Sequence, residues 1–324
     1  MHTLSDLQSL ISQEIDRYVK EIKHGTLYEP VKYIFDLGGK RMRPALMLSA
    51  CDLFGGDIRD AVDPAIGVEV FHNFTLMHDD IMDEAPLRRG EKSVHTHWNT
   101  NNAILSGDVM FVMGYQLMCK VRHEILPDVL AVFSKTAIEV CEGQQLDMDF
   151  EERDDVTIGE YIEMIRLKTS VLLAGSLQIG GIIAGAGRED LDRIYRFGEQ
   201  IGIAFQLRDD LLDVYGDASK FGKQVGGDIL ANKKTYLLLK ALENAGDSER
   251  SRLNGLLDGK GITPEEKVSA TIDLYNELGI REATEKVMQD YFENAMEELQ
   301  ALNVPQDRKS ELTQFAELLL VRES

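Results

Sequence analysis

A chain of 324 residues with 44% hydrophobic side chains can bury a sizeable core, in one large domain or two ordinary ones. Its 56 acidic against 35 basic residues, a formal charge of −21, exclude a nucleic-acid binder and argue equally against docking on an anionic membrane. Three cysteines without paired spacing, Cys51, Cys119 and Cys141, fit neither a disulfide framework nor a zinc site and predict a reduced, cytoplasmic protein.

The first ten residues, MHTLSDLQSL, lack a basic start followed by an apolar core, so no signal peptide is expected. The next signal is helical: Leu4, Leu7, Leu10, Ile11, Ile15, Val19 and Ile22 recur at threes and fours and predict one apolar face. Loops are expected at 53–57, 83–93, 151–155, 216–228 and 244–250, where glycine and charged residues cluster. The uncharged run 169–187, TSVLLAGSLQIGGIIAGAG, is long enough to span a membrane, but its five glycines with Thr, Ser and Gln predict a closely packed helix buried in protein. Leu191, Ile194, Phe197, Ile201, Phe205 and Leu212 keep a helical rhythm, and helix-like blocks flank a break at Leu278–Gly279. No proline falls between 128 and 263, strand signatures are missing, and no low-complexity linker divides the chain. The expectation is one all-α domain over residues 1–324.

Two stretches repeat one pattern. HDDIMD (78–83) carries Asp79, Asp80 and Asp83; LRDDLLD (207–213) carries Asp209, Asp210 and Asp213. On a helix, positions i and i+4 lie about 40° apart, so the first and last aspartates of each motif share a face and the second turns aside. Such carboxylates repel one another by a few tenths of a kcal/mol even on an isolated helix. In the apolar surroundings of VEVFHNFTLMHDDIM and IGIAFQLRDDLLDV they would be strongly desolvated unless cations joined them. Oxygen-only ligands select Mg²⁺, Mn²⁺ or Ca²⁺. The calcium-loop order is absent, whereas Mg²⁺ takes one or two carboxylates and completes its shell with water and phosphate oxygens. The pattern therefore predicts a Mg²⁺ clamp for a phosphorylated ligand, with Mn²⁺ as a substitute.

Basic residues stand beside these motifs: Lys40, Arg41 and Arg43 after Gly38–Gly39, Arg88 and Arg89 after the first motif, Lys168 with Thr169, and Lys223, Lys233 and Lys234 after the second. They supply the donors a diphosphate needs. No Walker loop and no G-x-G-x-x-G after a strand offers another phosphate site. His72, two turns before Asp79, lies on nearly the same face; a structural role and a ligand-holding role both stay open for it.

In this order GGKRMRP (38–44), HDDIMD with LRRG (87–90), GQQLD (143–147), KT (168–169), FQLRDDLLD (205–213), GKQVGGD (222–228) and KKT (233–235) resemble the all-trans short-chain prenyl diphosphate synthases, the farnesyl and geranylgeranyl diphosphate synthase family. The resemblance covers roughly residues 35–240 and implies an isoprenoid-synthase bundle of long helices around a central active-site cavity, with its acidic motifs facing each other, in a homodimer. It implies that Asp79, Asp83 and Asp209 ligate Mg²⁺ with Asp80, Asp210 and Asp213 in support. Lys40, Arg43, His72 and Arg89 would bind isopentenyl diphosphate. Arg88, Lys168, Thr169, Gln206, Lys223 and Lys233 would hold an allylic diphosphate (dimethylallyl, geranyl or farnesyl), with Arg88 and Lys168 as the catalytic cations. Phe74, about 7.5 Å deeper along the helix than Asp79, would close the pocket at C15 to C20, unless Val109 or Met113 sets the floor. A class I terpene cyclase and a non-catalytic synthase subunit are the competing readings; the first leaves Lys40, Arg43 and Arg89 idle, and the second would be expected to have lost site residues that this chain keeps.

Overall fold

The computed structural model describes residues 2–216 and 226–321. Lys223 lies outside the described residues, so the expectation for it has no structural counterpart. The architecture is all-α, as the periodicity predicts. Helices run α1 Leu4–Glu21, α2 Glu29–Asp36, α3 Met42–Leu53, α4 Val62–Met82, α5 Val94–His97, α6 Thr100–Met118, α7 Leu126–Glu152, α8 Ile158–Ile165, α9 Val171–Ala184 and α10 Arg188–Tyr215. They continue as α11 Gly227–Leu230, α12 Tyr236–Asn244, α13 Asp247–Asp258, α14 Pro264–Glu277, α15 Ile280–Gln300 and α16 Gln306–Val321. One feature escaped the sequence reading: within the expected loop 83–93, β1 (Leu87–Arg88) pairs antiparallel with β2 (Glu91–Lys92). Two residues per strand are too few to leave an alternating signal.

Contacts group the chain into two compact units, one of residues 1–137, 172–195 and 302–312, the other of 138–171, 196–301 and 313–324. In the first unit α1 opens with a capping box of Thr3 and Asp6 and buries Leu7, Ile11 and Ile15, the middle of the expected apolar stripe. Helix α3 is buried on every side from Pro44 to Cys51. That all-round burial marks a helix enclosed by others. Helices α4 and α6 pair along much of their length. Between them and α7, Phe71, Phe74, Phe111, Tyr115 and Phe133 stack at centroid distances of 4.9–6.1 Å.

The second unit holds two apolar clusters. One gathers Phe150, Val156, Tyr161, Met164, Ile165, Ile203, Leu207, Tyr236 and Leu239; the other joins Leu211, Val214 and Ile229 to α12, α13, α14 and α15. The break expected at Leu278–Gly279 is real: α14 ends at Glu277, and Gly279 takes a left-handed backbone, φ 65°, before α15. The stretch Ile158–Ala184 is long and apolar enough to cross a membrane, yet 78% of its most apolar window is buried inside the protein, as its glycine content predicts.

Candidate active site

The first aspartate motif occupies the C-terminal end of α4. Helix α4 stops at Met82, and Asp83 caps it, its N–H donating to the Asp79 carbonyl at 2.9 Å. Helical spacing therefore persists through the motif, and Asp79 and Asp83 share a face, as predicted. Burial does not fall on the whole cluster. Asp80 alone is enclosed, at 1% exposed, while Asp79 keeps a fifth of its side chain open and Asp83 is exposed. The expectation of general desolvation is thus corrected to desolvation of one carboxylate, and a protein cation meets it. Arg88 donates from Nε to Asp80 Oδ1 at 2.9 Å and from Nη2 to the same oxygen, with Nη2 3.7 Å from Asp79 Oδ2. Burial still pushes the Asp80 carboxyl above its usual range, against the pull of Arg88. The β1–β2 ribbon aims Arg88 by fixing the turn between its strands.

The basic residues of this unit converge on His72. Arg43 Nη1 lies 3.1 Å from His72 Nε2. A guanidinium has only donors, so the imidazole accepts at Nε2 and carries its proton on Nδ1. Burial, and then Arg43, Arg89, Arg88 and Arg41, hold His72 well below the usual histidine range, so it is neutral. Arg43 is itself weakened by burial, sustained by Glu69, and its buried Nε has no hydrogen-bond partner among the described residues. Arg89, at left-handed φ 54°, donates to the Gly38 carbonyl. A β-carbon at Gly39 would sit 3.1 Å from Arg89 Nη2 and 3.3 Å from Arg41 Nη1 on a backbone, φ 149°, that favours glycine, so a side chain there would be strained and would press on both guanidiniums. Arg41 is an internal tie, 8% exposed, bonded at 2.6 Å to Glu69 and at 3.0 Å to the Phe35 carbonyl. Lys40 is exposed on the loop, its carbonyl accepting from Gln8 at 2.9 Å.

The second motif lies inside α10 and repeats the division. Asp209 is exposed, Asp213 half-buried, and Asp210 only 4% exposed. Tyr161 donates its hydroxyl to Asp210 Oδ2, and Gln206 Nε2 stands 3.4 Å from Oδ1. Burial pushes Asp210 up to about 7, with the Tyr161 hydrogen bond pulling the other way. Asp213 accepts from the Asp228 N–H at 2.9 Å. Lys168 pairs with Asp147 at 2.6 Å, and Thr169 Oγ1 reaches Gln206 Oε1 at 3.4 Å. Lys233 is exposed, in the bend that follows α11.

The structure thus gathers Arg43, His72, Arg88, Arg89, Asp79 and Asp80 in the first unit, and Lys168, Thr169, Gln206 and the second motif in the other. Glu69, Asp147 and Tyr161 were not singled out from sequence. GQQLD held a signal for Asp147; Glu69 and Tyr161 left none, because their partners are remote in the chain. Among the described residues no three metal-ligating side chains converge tightly enough to cage an ion alone. In each motif one exposed and one half-buried carboxylate a turn apart fit an ion that takes few protein ligands and fills its shell from water and a phosphorylated ligand.

The sequence matches the Polyprenyl synthetase family over residues 24–275. A short chain isoprenyl diphosphate synthase of Methanothermobacter thermautotrophicus is 37% identical over 324 residues, covering all of this chain and 98% of that one. A geranylgeranyl diphosphate synthase of Methanosarcina mazei is 36% identical over 323 residues, covering 99% and 97%. A crystal structure of a geranylgeranyl pyrophosphate synthase shares the all-α fold with a TM-score of 0.94 and 44% identity, both chains covered in full. The chain belongs to the polyprenyl synthetase family. The cyclase and non-catalytic readings are not favoured.

Proposed function

We propose that the chain is a prenyltransferase that condenses isopentenyl diphosphate with an allylic prenyl diphosphate, giving an all-trans product of C15 to C20. The observation that carries this reading is the cluster of Arg41, Arg43, Arg88 and Arg89 around a neutral His72, beside the half-buried carboxylate of Asp79 and the exposed one of Asp83. So much positive charge around one imidazole in a chain of net charge −21 suits a polyanion.

Lys40, Arg43, His72 and Arg89 bind isopentenyl diphosphate; Arg43 and Arg89 contribute forked donors and His72 its Nδ1–H. Arg88, Lys168, Thr169, Gln206, Lys223 and Lys233 hold the allylic diphosphate, with Arg88 and Lys168 nearest the departing charge. Mg²⁺, or Mn²⁺ in its place, held by Asp79, Asp83 and Asp209, supplies neutralisation of the leaving diphosphate when bound. The allylic C1–O bond breaks with its electron pair leaving on diphosphate, and the double bond of isopentenyl diphosphate forms the new carbon–carbon bond at C1. The proton then lost from C2 goes to the released diphosphate. His72, neutral and already accepting from Arg43, is not the base. Phe74, stacked on Phe71 at 5.5 Å and Phe111 at 5.3 Å, closes the tail pocket.

The reading takes the whole chain as one synthase domain, working as a homodimer in the cytoplasm; three free cysteines suit a reducing compartment. Incubation with labelled isopentenyl diphosphate and each allylic primer, with product length read by mass spectrometry, tests it. Extension to C15 or C20 is the expected result. No incorporation, or cyclisation of a primer without isopentenyl diphosphate, overturns it. Scattering-coupled chromatography should give twice the chain mass.

A further inference from the structure

Tyr161 is 2% exposed on α8, among Phe150, Val156, Met164, Ile165, Ile203 and Leu207. A phenylalanine would fill that space equally well, and a hydroxyl brought into it is costly unless bonded. The hydroxyl's partner is Asp210 Oδ2. Asp210 Oδ1 faces Gln206 Nε2 at 3.4 Å, and Gln206 Oε1 faces Thr169 Oγ1 at 3.4 Å. Tyr161 and Thr169 belong to one run of backbone, because α8 passes directly into a π-turn, Arg166–Ser170, closed by the Val171 N–H on the Arg166 carbonyl. Four side chains and nine residues of backbone therefore make a closed ring. Lys168 belongs to that run of backbone, its Nζ on Asp147. On the other side the π-turn rests against α7, where a β-carbon at Gly143 would fall 2.2 Å from the Lys168 backbone nitrogen. A π-turn is a rare conformation that its surroundings must hold, and here the ring and the glycine seat do so.

We propose that Tyr161 is a positioning residue: it turns Asp210 inward as an acceptor and, through Gln206 and Thr169, fixes the π-turn that presents Lys168 to the allylic diphosphate. The proposal rests on the synthase reading for its kinetic part alone. Asp210 in this arrangement is a structural acceptor and not a metal ligand.

Tyr161→Phe keeps the ring and removes the hydroxyl. It should lower kcat about tenfold, the usual weight of one buried hydrogen bond to a charged group, with KM for isopentenyl diphosphate unchanged within about twofold. Hydrogen exchange at the amides of residues 166–171, measured without substrate, should quicken by a similar factor. Wild-type kcat in Tyr161→Phe, or unchanged exchange in the π-turn, overturns the proposal. Should Tyr161→Phe fail to fold, Asp210 carries the test. Asp210→Asn keeps the ring once the Gln206 amide turns over, its Oδ1 accepting from the phenol and its Nδ2 donating to Gln206 Oε1 while Gln206 Nε2 donates to Thr169 Oγ1, and should keep kcat within about threefold, whereas Asp210→Leu should lose about tenfold; equal losses in both would overturn the proposal. If the wild-type protein incorporates no isopentenyl diphosphate the synthase reading fails, and the exchange measurement still decides whether Tyr161 holds the turn.

Discussion

Asp80 and Asp210 hold the same place in the same motif, and each is the aspartate that turns inward. A guanidinium meets one and a phenol the other. Arg88 keeps 26% of its side chain open, so the group that meets Asp80 Oδ1 also stands where an anionic ligand can recruit it. Tyr161 is sunk in an apolar cluster and cannot turn to a ligand without opening that core. The first contact is exchangeable and the second fixed. Identical spacing thus builds a contact that ligand binding can redistribute in one unit and a rigid strut in the other.

The comparison breaks most decisively if the outward aspartates of the two motifs are not equivalent in function. Asp79→Ala and Asp209→Ala should each lower kcat by about 10²- to 10³-fold, with Mg²⁺ present and the fold intact by circular dichroism. Relief of repulsion should leave the melting temperature of the metal-free proteins level or higher; a variant that unfolds without metal would make its aspartate structural. Next in size comes a kinetic contrast. Arg43→Ala should raise KM for isopentenyl diphosphate by about tenfold or more with kcat nearly kept, while Lys168→Ala should lower kcat by about the same factor. The same defect in both would erase the division between the units.

One substitution made in both motifs sharpens the difference directly. Asp80→Asn loses a charge-assisted bond to Arg88 and should cost about 1–2 kcal/mol in urea unfolding. Asp210→Asn replaces a buried carboxyl that desolvation already pushes up to about 7 and whose hydrogen-bond partners, Tyr161 and Gln206, are neutral, and should be neutral or stabilising. Equal destabilisation would mean that guanidinium and phenol do the same work. Phe74→Ala belongs to the first unit alone and should lengthen the main product by about one five-carbon unit, as removing the ring opens a cavity; an active, folded variant with wild-type products would move the floor to Val109 or Met113. The smallest effect is electrostatic. Unfolded histidine takes up its proton near 6.5, whereas buried His72 resists protonation until well below that value. The unfolded state therefore binds more protons below pH 6.5, and stability falls as pH drops from about 6.5 towards 5. His72→Gln should flatten that part of the curve in denaturant melts against pH.

Helix spacing was legible from the chain: the stripe on α1 and the shared face of Asp79 and Asp83 follow from 3.6 residues per turn, and the break before α15 from Gly279. The same geometry set Asp80 and Asp210 apart from their neighbours. It could not say that those two face inward, since that depends on which helices cover α4 and α10. The ordered motifs marked Arg43, Arg88, Lys168 and Gln206 through resemblance, and helical spacing ahead of Asp79 marked His72. Tyr161 and Asp210 are 49 positions apart and Arg41 and Glu69 are 28, so no local pattern joins them. The β1–β2 ribbon was hidden for the opposite reason, being shorter than the period that would reveal it.

The left-handed backbone at Arg89 carries a lesson for anyone engineering heat resistance into this chain. A side chain with a β-carbon pays about 1–2 kcal/mol to sit there, and glycine would not. Arg89→Gly is therefore among the substitutions a screen for melting temperature would favour, and on the proposed reading it would delete a guanidinium that binds isopentenyl diphosphate. On that reading, tolerance to heat and capacity for turnover pull in opposite directions at that one residue, so a screen here should select on catalysis and durability together.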